Sequence, residues 1–147
     1  MCIRDRITAY ETESKAAMYP RVILDQTVIE IAKMFHSDTH SPEFEEEAIM
    51  GVVTKDTDEM FYIDYIKKGQ QELNDPEYDF PQYLEKLKNI IEGNKAIENP
   101  DIKVKTGWLI NKFNELVNDA TNPEFIKQLV DNGNIELAEY YQALEKI

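Results

Sequence analysis

Val52-Val53-Thr54, Lys55-Asp56-Thr57-Asp58-Glu59 and Phe61-Tyr62-Ile63-Asp64-Tyr65 follow one another closely in the chain. Two β-branched or aromatic runs flank a short charged stretch, which is the pattern of a β-hairpin with a polar loop. This hairpin decides the fold class, because without it the chain would read as helix almost throughout. Upstream, Arg21-Val22-Ile23-Leu24 predicts a further short, buried strand. Tyr19-Pro20 enters it in extended form, since the residue before proline avoids the helical region. Asp25 is placed to cap a helix over Gln26–Phe35, with Val28, Ile31, Ala32 and Phe35 on one face. His36–Ser41 is polar and loop-like. Pro42 opens a helix through Ile49, with Glu43 and Glu45 favourably placed in its first turn. Residues 7–18 are compatible with a helix and hold no breaker before Pro20.

Downstream of Ile66 the composition changes. Lys67–Asp79 is polar, contains Gly69 and Pro76, and is expected to be a linker. Everything beyond it predicts helix. Asp79 is placed to cap a helix carrying Leu84, Leu87, Ile90 and Ile91 at three-four spacing. Asn99-Pro100 starts a second, in which Leu109, Phe113, Leu116 and Val117 form a stripe with Trp108 beside it. Asn122-Pro123 and Asn134 open two shorter helices, separated by a break at Asn132-Gly133. The expected fold class is therefore α+β over residues 7–66, followed by an all-α tail over residues 80–147.

The 147 residues carry 29 acids against 16 bases, a formal charge of −13. That surface repels phosphate backbones and anionic lipid, and the lysines form no local basic cluster, so neither nucleic acid nor membrane is an expected partner. No apolar run approaches the roughly 20 residues of a membrane span. A lone cysteine cannot form an internal disulfide, which fits a reducing, cytoplasmic setting. Met1-Cys2-Ile3-Arg4-Asp5-Arg6 is what translation of a sequencing-library adapter end yields. Residues 1–6 are accordingly expected to be non-native, the native chain to start upstream of Ile7, and Cys2 to have no role.

Four groupings invite a chemical reading. His36 and His40 have the spacing of paired zinc ligands, but Ser37 stands where the metallohydrolase pattern needs a glutamate, so incidental loop histidines are expected. Asp56-Thr57-Asp58-Glu59 begins like a calcium loop and then places Met60 and Phe61 where an oxygen ligand and a glycine are needed. A charged hairpin tip is the expectation. Glu45-Glu46-Glu47 are adjacent and so point to different sides of a helix. Trp108 and Phe113 fall on a helix stripe and are expected in a core. No residue set here makes a complete catalytic site.

Ala9-Tyr10-Glu11-Thr12-Glu13-Ser14-Lys15-Ala16, followed by Tyr19-Pro20-Arg21-Val22-Ile23-Leu24-Asp25, resembles a stretch of bacterial class III nucleotide cyclase homology domains. Within that superfamily it is most similar to a stand-alone subgroup that includes pyrimidine cyclases and is associated with anti-phage defence. The resemblance implies that residues 7–66 are the back half of a ferredoxin-like cyclase sheet and that residues 80–147 are a helical tail. It also implies that Lys55, on the first arm of the hairpin, contacts a nucleoside triphosphate. The complete protein would then convert a nucleoside triphosphate to a cyclic nucleotide and pyrophosphate, as a homodimer using magnesium or manganese. The sequence departs from the family at Ile7 and Glu11, where many members carry a transition-state asparagine and arginine. The family's metal-binding aspartates would lie upstream of Ile7. The chain by itself is thus expected to be inert, and its sheet to have open edges and an uncovered apolar face. The alternative expectation is a non-enzymatic, acidic protein-interaction module.

Overall fold

The computed structural model describes residues 18–34 and 39–147. Residues 1–6, the helix expected before Met18, and Phe35 through Asp38 lie outside the described residues. The chain divides into two compact units, residues 1–69 and 70–147.

The first unit holds strand β1 (Ile23–Leu24), helices α1 (Gln26–Met34) and α2 (Pro42–Val52), and strands β2 (Val53–Lys55) and β3 (Phe61–Ile63). Local chemistry starts both helices. The Asp25 carboxylate accepts the Thr27 amide at 2.8 Å, and the Ser41 hydroxyl accepts the Phe44 amide at 3.3 Å ahead of Pro42. The negative end of α2 is satisfied by a cation from outside it. The Lys68 ammonium donates to the Met50 carbonyl at 2.6 Å and the Val53 carbonyl at 2.8 Å. With that support the helix runs to Val52, three residues past the expected end, and β2 starts directly at Val53.

The sheet order is β1-β3-β2, antiparallel throughout, with Tyr62 opposite both Ile23 and Thr54. Side chains alternate across a strand, so Tyr62, Thr54 and Ile23 share one face while Val53 and Ile63 share the other. Tyr62 and Val53 are buried, and Ile63 and Val22 are exposed. The expected buried strand 21–24 is therefore corrected: Arg21 is its buried member, and Val22 faces out. The inward face of α1 is corrected as well. Ile29 is 5% exposed, whereas Val28 and Ile31 are 52% and 53% exposed.

The second unit holds α3 (Pro76–Asn94), α4 (Pro100–Ala120), α5 (Pro123–Asp131) and α6 (Ile135–Gln142), preceded by a 3₁₀ turn over Gly69–Glu72. Three of the helices start alike, with a capping side chain followed by proline at the first helical position. Asp75 accepts the Tyr78 amide at 3.3 Å, Asn99 the Asp101 amide at 2.9 Å, and Asn122 the Glu124 amide at 2.9 Å. The cap of α3 is thus Asp75, not Asp79, and the helix begins inside the stretch expected to be a linker. Asp79 with Pro81 offers a competing first turn, since proline favours that position. The helix instead carries Pro81 within its length.

Helix α4 packs against α3, α5 and α6. Its Trp108, Leu109, Phe113, Leu116 and Val117 are buried, as the stripe predicts, together with Phe80, Leu84, Leu87 and Ile91 of α3. On α3, Ile91 is fully buried and Ile90 is 57% exposed, so Ile90 leaves the expected core. Gly133, at φ 86°, ends α5. Its amide donates to Val130, and that of Asn134 reaches back to Leu129, the paired bonds of a left-handed helix terminus. Tyr141, buried beside Tyr140, has its phenol pushed up to about 12 by burial and then by that neighbour, so it packs as a neutral group.

Phe113→Ala is expected to destabilise the second unit by about 3–5 kcal/mol, while Ile90→Ala costs less than about 1 kcal/mol. Urea denaturation followed by the fluorescence of Trp108 measures both. Equal losses would show that the inward face of α3 has been misassigned.

Candidate functional site

The most highly organised polar site in the first unit is built around Arg21. Tyr65 fixes the approach to it by donating its hydroxyl to the Pro20 carbonyl. Burial, and then the nearby Asp64 carboxylate, hold that phenol above its ordinary pKa and keep it a donor. The Arg21 side chain, fully buried, runs to the hairpin loop. Its Nη1 donates to Asp56 Oδ2 at 2.5 Å and to Asp58 Oδ1 at 3.0 Å, and its Nη2 pairs with Asp58 Oδ2. The fork on Asp58 is the bidentate arrangement that suits guanidinium and carboxylate. Aromatic rings add to it, the guanidinium carbon lying 5.0 Å from the Tyr19 ring centre and 5.8 Å from that of Tyr62.

The carboxylates are themselves positioned by the loop. Asp56 donates its amide to Met60 at 2.9 Å and accepts the Glu59 amide at 3.0 Å through its carbonyl. Its Oδ1 takes the Thr57 amide at 2.9 Å. Glu59 stands at φ 67°, a left-handed conformation unusual for a non-glycine residue. Burial alone would lower the Arg21 pKa, but hydrogen bonding and attraction to Asp58, and then to Asp56, outweigh it and hold the guanidinium above its ordinary value. The hydrogen bond from Arg21 holds the Asp58 carboxyl below the usual range against the opposing effect of burial. Arg21 Nε and the Thr54 hydroxyl are buried and have no hydrogen-bond partner among the described residues.

This cluster was not legible as such in the sequence, where Asp56 and Asp58 read as a charged hairpin tip and Arg21 as a strand residue. Asp56 is in fact buried. The signal in the sequence was the arginine itself, a strong cation opening an otherwise apolar strand. Both terminal nitrogens of Arg21 are engaged, so the cluster acts as a clamp between the start of β1 and the hairpin. Its two carboxylates are both engaged by the one guanidinium, and in that arrangement they do not fit a magnesium or manganese ion. Among the described residues no group of three or more His, Cys, Asp or Glu side chains is arranged to hold a metal.

Lys55, the residue expected to contact a triphosphate, lies on the edge strand β2. Its half-exposed ammonium pairs with the exposed Glu59 carboxylate and lies 5.8 Å from the Phe61 ring centre. His40 stacks on Phe44 at 5.0 Å between ring centres and has Nδ1 3.1 Å from the Thr39 hydroxyl. Its expected companion His36 lies outside the described residues, as do Cys2, Ile7 and Glu11. Glu46 pairs with Lys33 across α1 and α2. Trp108 and Phe113 are core residues, with the Lys112 ammonium 5.9 Å from the Trp108 ring.

In the second unit a shallow depression of about 500 Å³ lies where the first turns of α3 and α6 come together, lined by Asp75, Glu77, Tyr78, Ile135 and Glu136 among others. No described helix is long and apolar enough to cross a membrane. The chain matches no known family model, no curated protein and no solved structure.

Arg21→Met is expected to cost about 3–5 kcal/mol, because it leaves Asp56 buried without its cation. Adding Asp56→Asn to it should recover part of that loss. Hydrogen exchange at the Tyr62 and Ile63 amides measures both, and an additive double variant would mean that the two residues are not coupled.

The pH dependence follows from the lowered Asp58 pKa. The stabilisation by this pair is complete above the ordinary value of 3.8 and is lost as pH falls below it through the depressed folded-state value. Asp58→Asn should therefore weaken the first unit at neutral pH and flatten its acid loss. An unchanged acid limb in the same exchange measurement would remove Asp58 from the account.

Proposed function

We propose that this chain is the back part of a nucleotidyl cyclase homologue and is inert in its 147-residue form. The observation that carries this reading is the hairpin, which closes an antiparallel β1-β3-β2 sheet after a strand and two helices and presents Lys55 on an exposed edge. The uncovered face supports it as well: Val22 and Ile63 stand exposed beside buried Val53, as expected where more protein would pack. In the complete domain the ribose 3′-oxygen would close on the α-phosphate and pyrophosphate would leave. The contribution of this chain is the Lys55 ammonium, which exchanges Glu59 for a phosphate oxygen. Magnesium or manganese would be held by a pair of aspartates upstream of Ile7. The complete enzyme would act as a cytoplasmic homodimer.

The test is to recover the source DNA, express the whole reading frame, and incubate it with each of the four nucleoside triphosphates and manganese. A cyclic nucleotide is expected from the whole protein and none from the 147-residue chain. Lys55→Ala should slow the reaction by about 10²-fold. A cyclic product from the short chain would disprove its inertness, and a reading frame without a strand-borne pair of aspartates would remove the cyclase reading.

A second reading, an acidic protein-interaction module, is favoured by α1. Val28, Ile31 and Met34 fall at three-residue spacing on this helix, and each is more than half exposed. Such a ridge is suited to the apolar face of a partner helix. Ile31→Asp should change stability by less than about 0.5 kcal/mol and abolish retention of a binding protein from source-cell extract on the immobilised chain. Retention unaffected by the substitution would exclude this ridge as the binding surface.

A further inference from the structure

We draw no further inference here: the strongest candidate, the acidic depression of the second unit between the first turns of α3 and α6, is a pair of helix N-termini with a cluster of carboxylates, and among the described residues no buried, unpartnered side chain aimed into it points to a ligand.

Discussion

A buried guanidinium organises the first unit. Its sheet is built of strands two and three residues long, too short for ladder hydrogen bonds alone to hold a register against slippage. Arg21 supplies what the ladder lacks, because its fork reaches from the start of β1 to Asp56 and Asp58 and fixes where the hairpin loop sits. Register then follows: with the loop fixed, Tyr62 lies between Ile23 and Thr54, and its ring lies close to the guanidinium. The arrangement carries a cost, since burying charge is favourable only when geometry and hydrogen bonding are nearly complete. The amides of Thr57 and Met60, directed at the two carboxylates, help to meet that condition.

The second unit is stabilised differently. Three of its helices, α3, α4 and α5, are specified at their starts by a capping side chain and a proline, and all four along their length by apolar spacing, both local in sequence. Helix α4 is the element that packs on the other three, so its stripe from Trp108 to Val117 serves as the shared core. The left-handed Gly133 turns the chain between α5 and α6 so that Leu137, Ala138 and Tyr141 are buried in the same core. The extreme residue of the chain is also held, Asn114 exchanging two hydrogen bonds with the backbone of Ile147 at 2.9 and 3.2 Å.

This contrast explains which features were legible in the sequence. Caps at Asp25, Asn99 and Asn122 were readable because donor and acceptor lie within three residues of one another. The division into a mixed first part and a helical second part was readable because hydrophobic period is a local signal. The face of α1 was not, since Val28, Ile29, Ile31 and Ala32 allow two apolar stripes and only packing selects between them. The start of α3 was missed because Asp75-Pro76 and Asp79 with Pro81 offer competing first turns. Pairing of Arg21 with Asp56, 35 positions away, has no local signature at all. A charge read in isolation is assigned to solvent, and only the fold shows that two such charges neutralise each other in the interior.

The cyclase reading turns on Lys55. On the cyclase reading its ammonium must be available to phosphate, yet Glu59 already occupies it. The geometry of that pair argues that it is no obstacle. Both side chains are substantially exposed, and an exposed ion pair of this kind is worth about 0–1 kcal/mol. The left-handed backbone at Glu59 costs about 1–2 kcal/mol, at least as much as the pair returns, so the pair adds little to the stability of the loop. The loop is held instead by the clamp on its other carboxylates, Asp56 and Asp58, which leaves Glu59 free to move away without disturbing the hairpin. A triphosphate, carrying several charges, would outcompete a single carboxylate for the lysine. The division of labour within one short loop is therefore physical: its buried acids maintain the fold, and its exposed lysine and glutamate remain exchangeable.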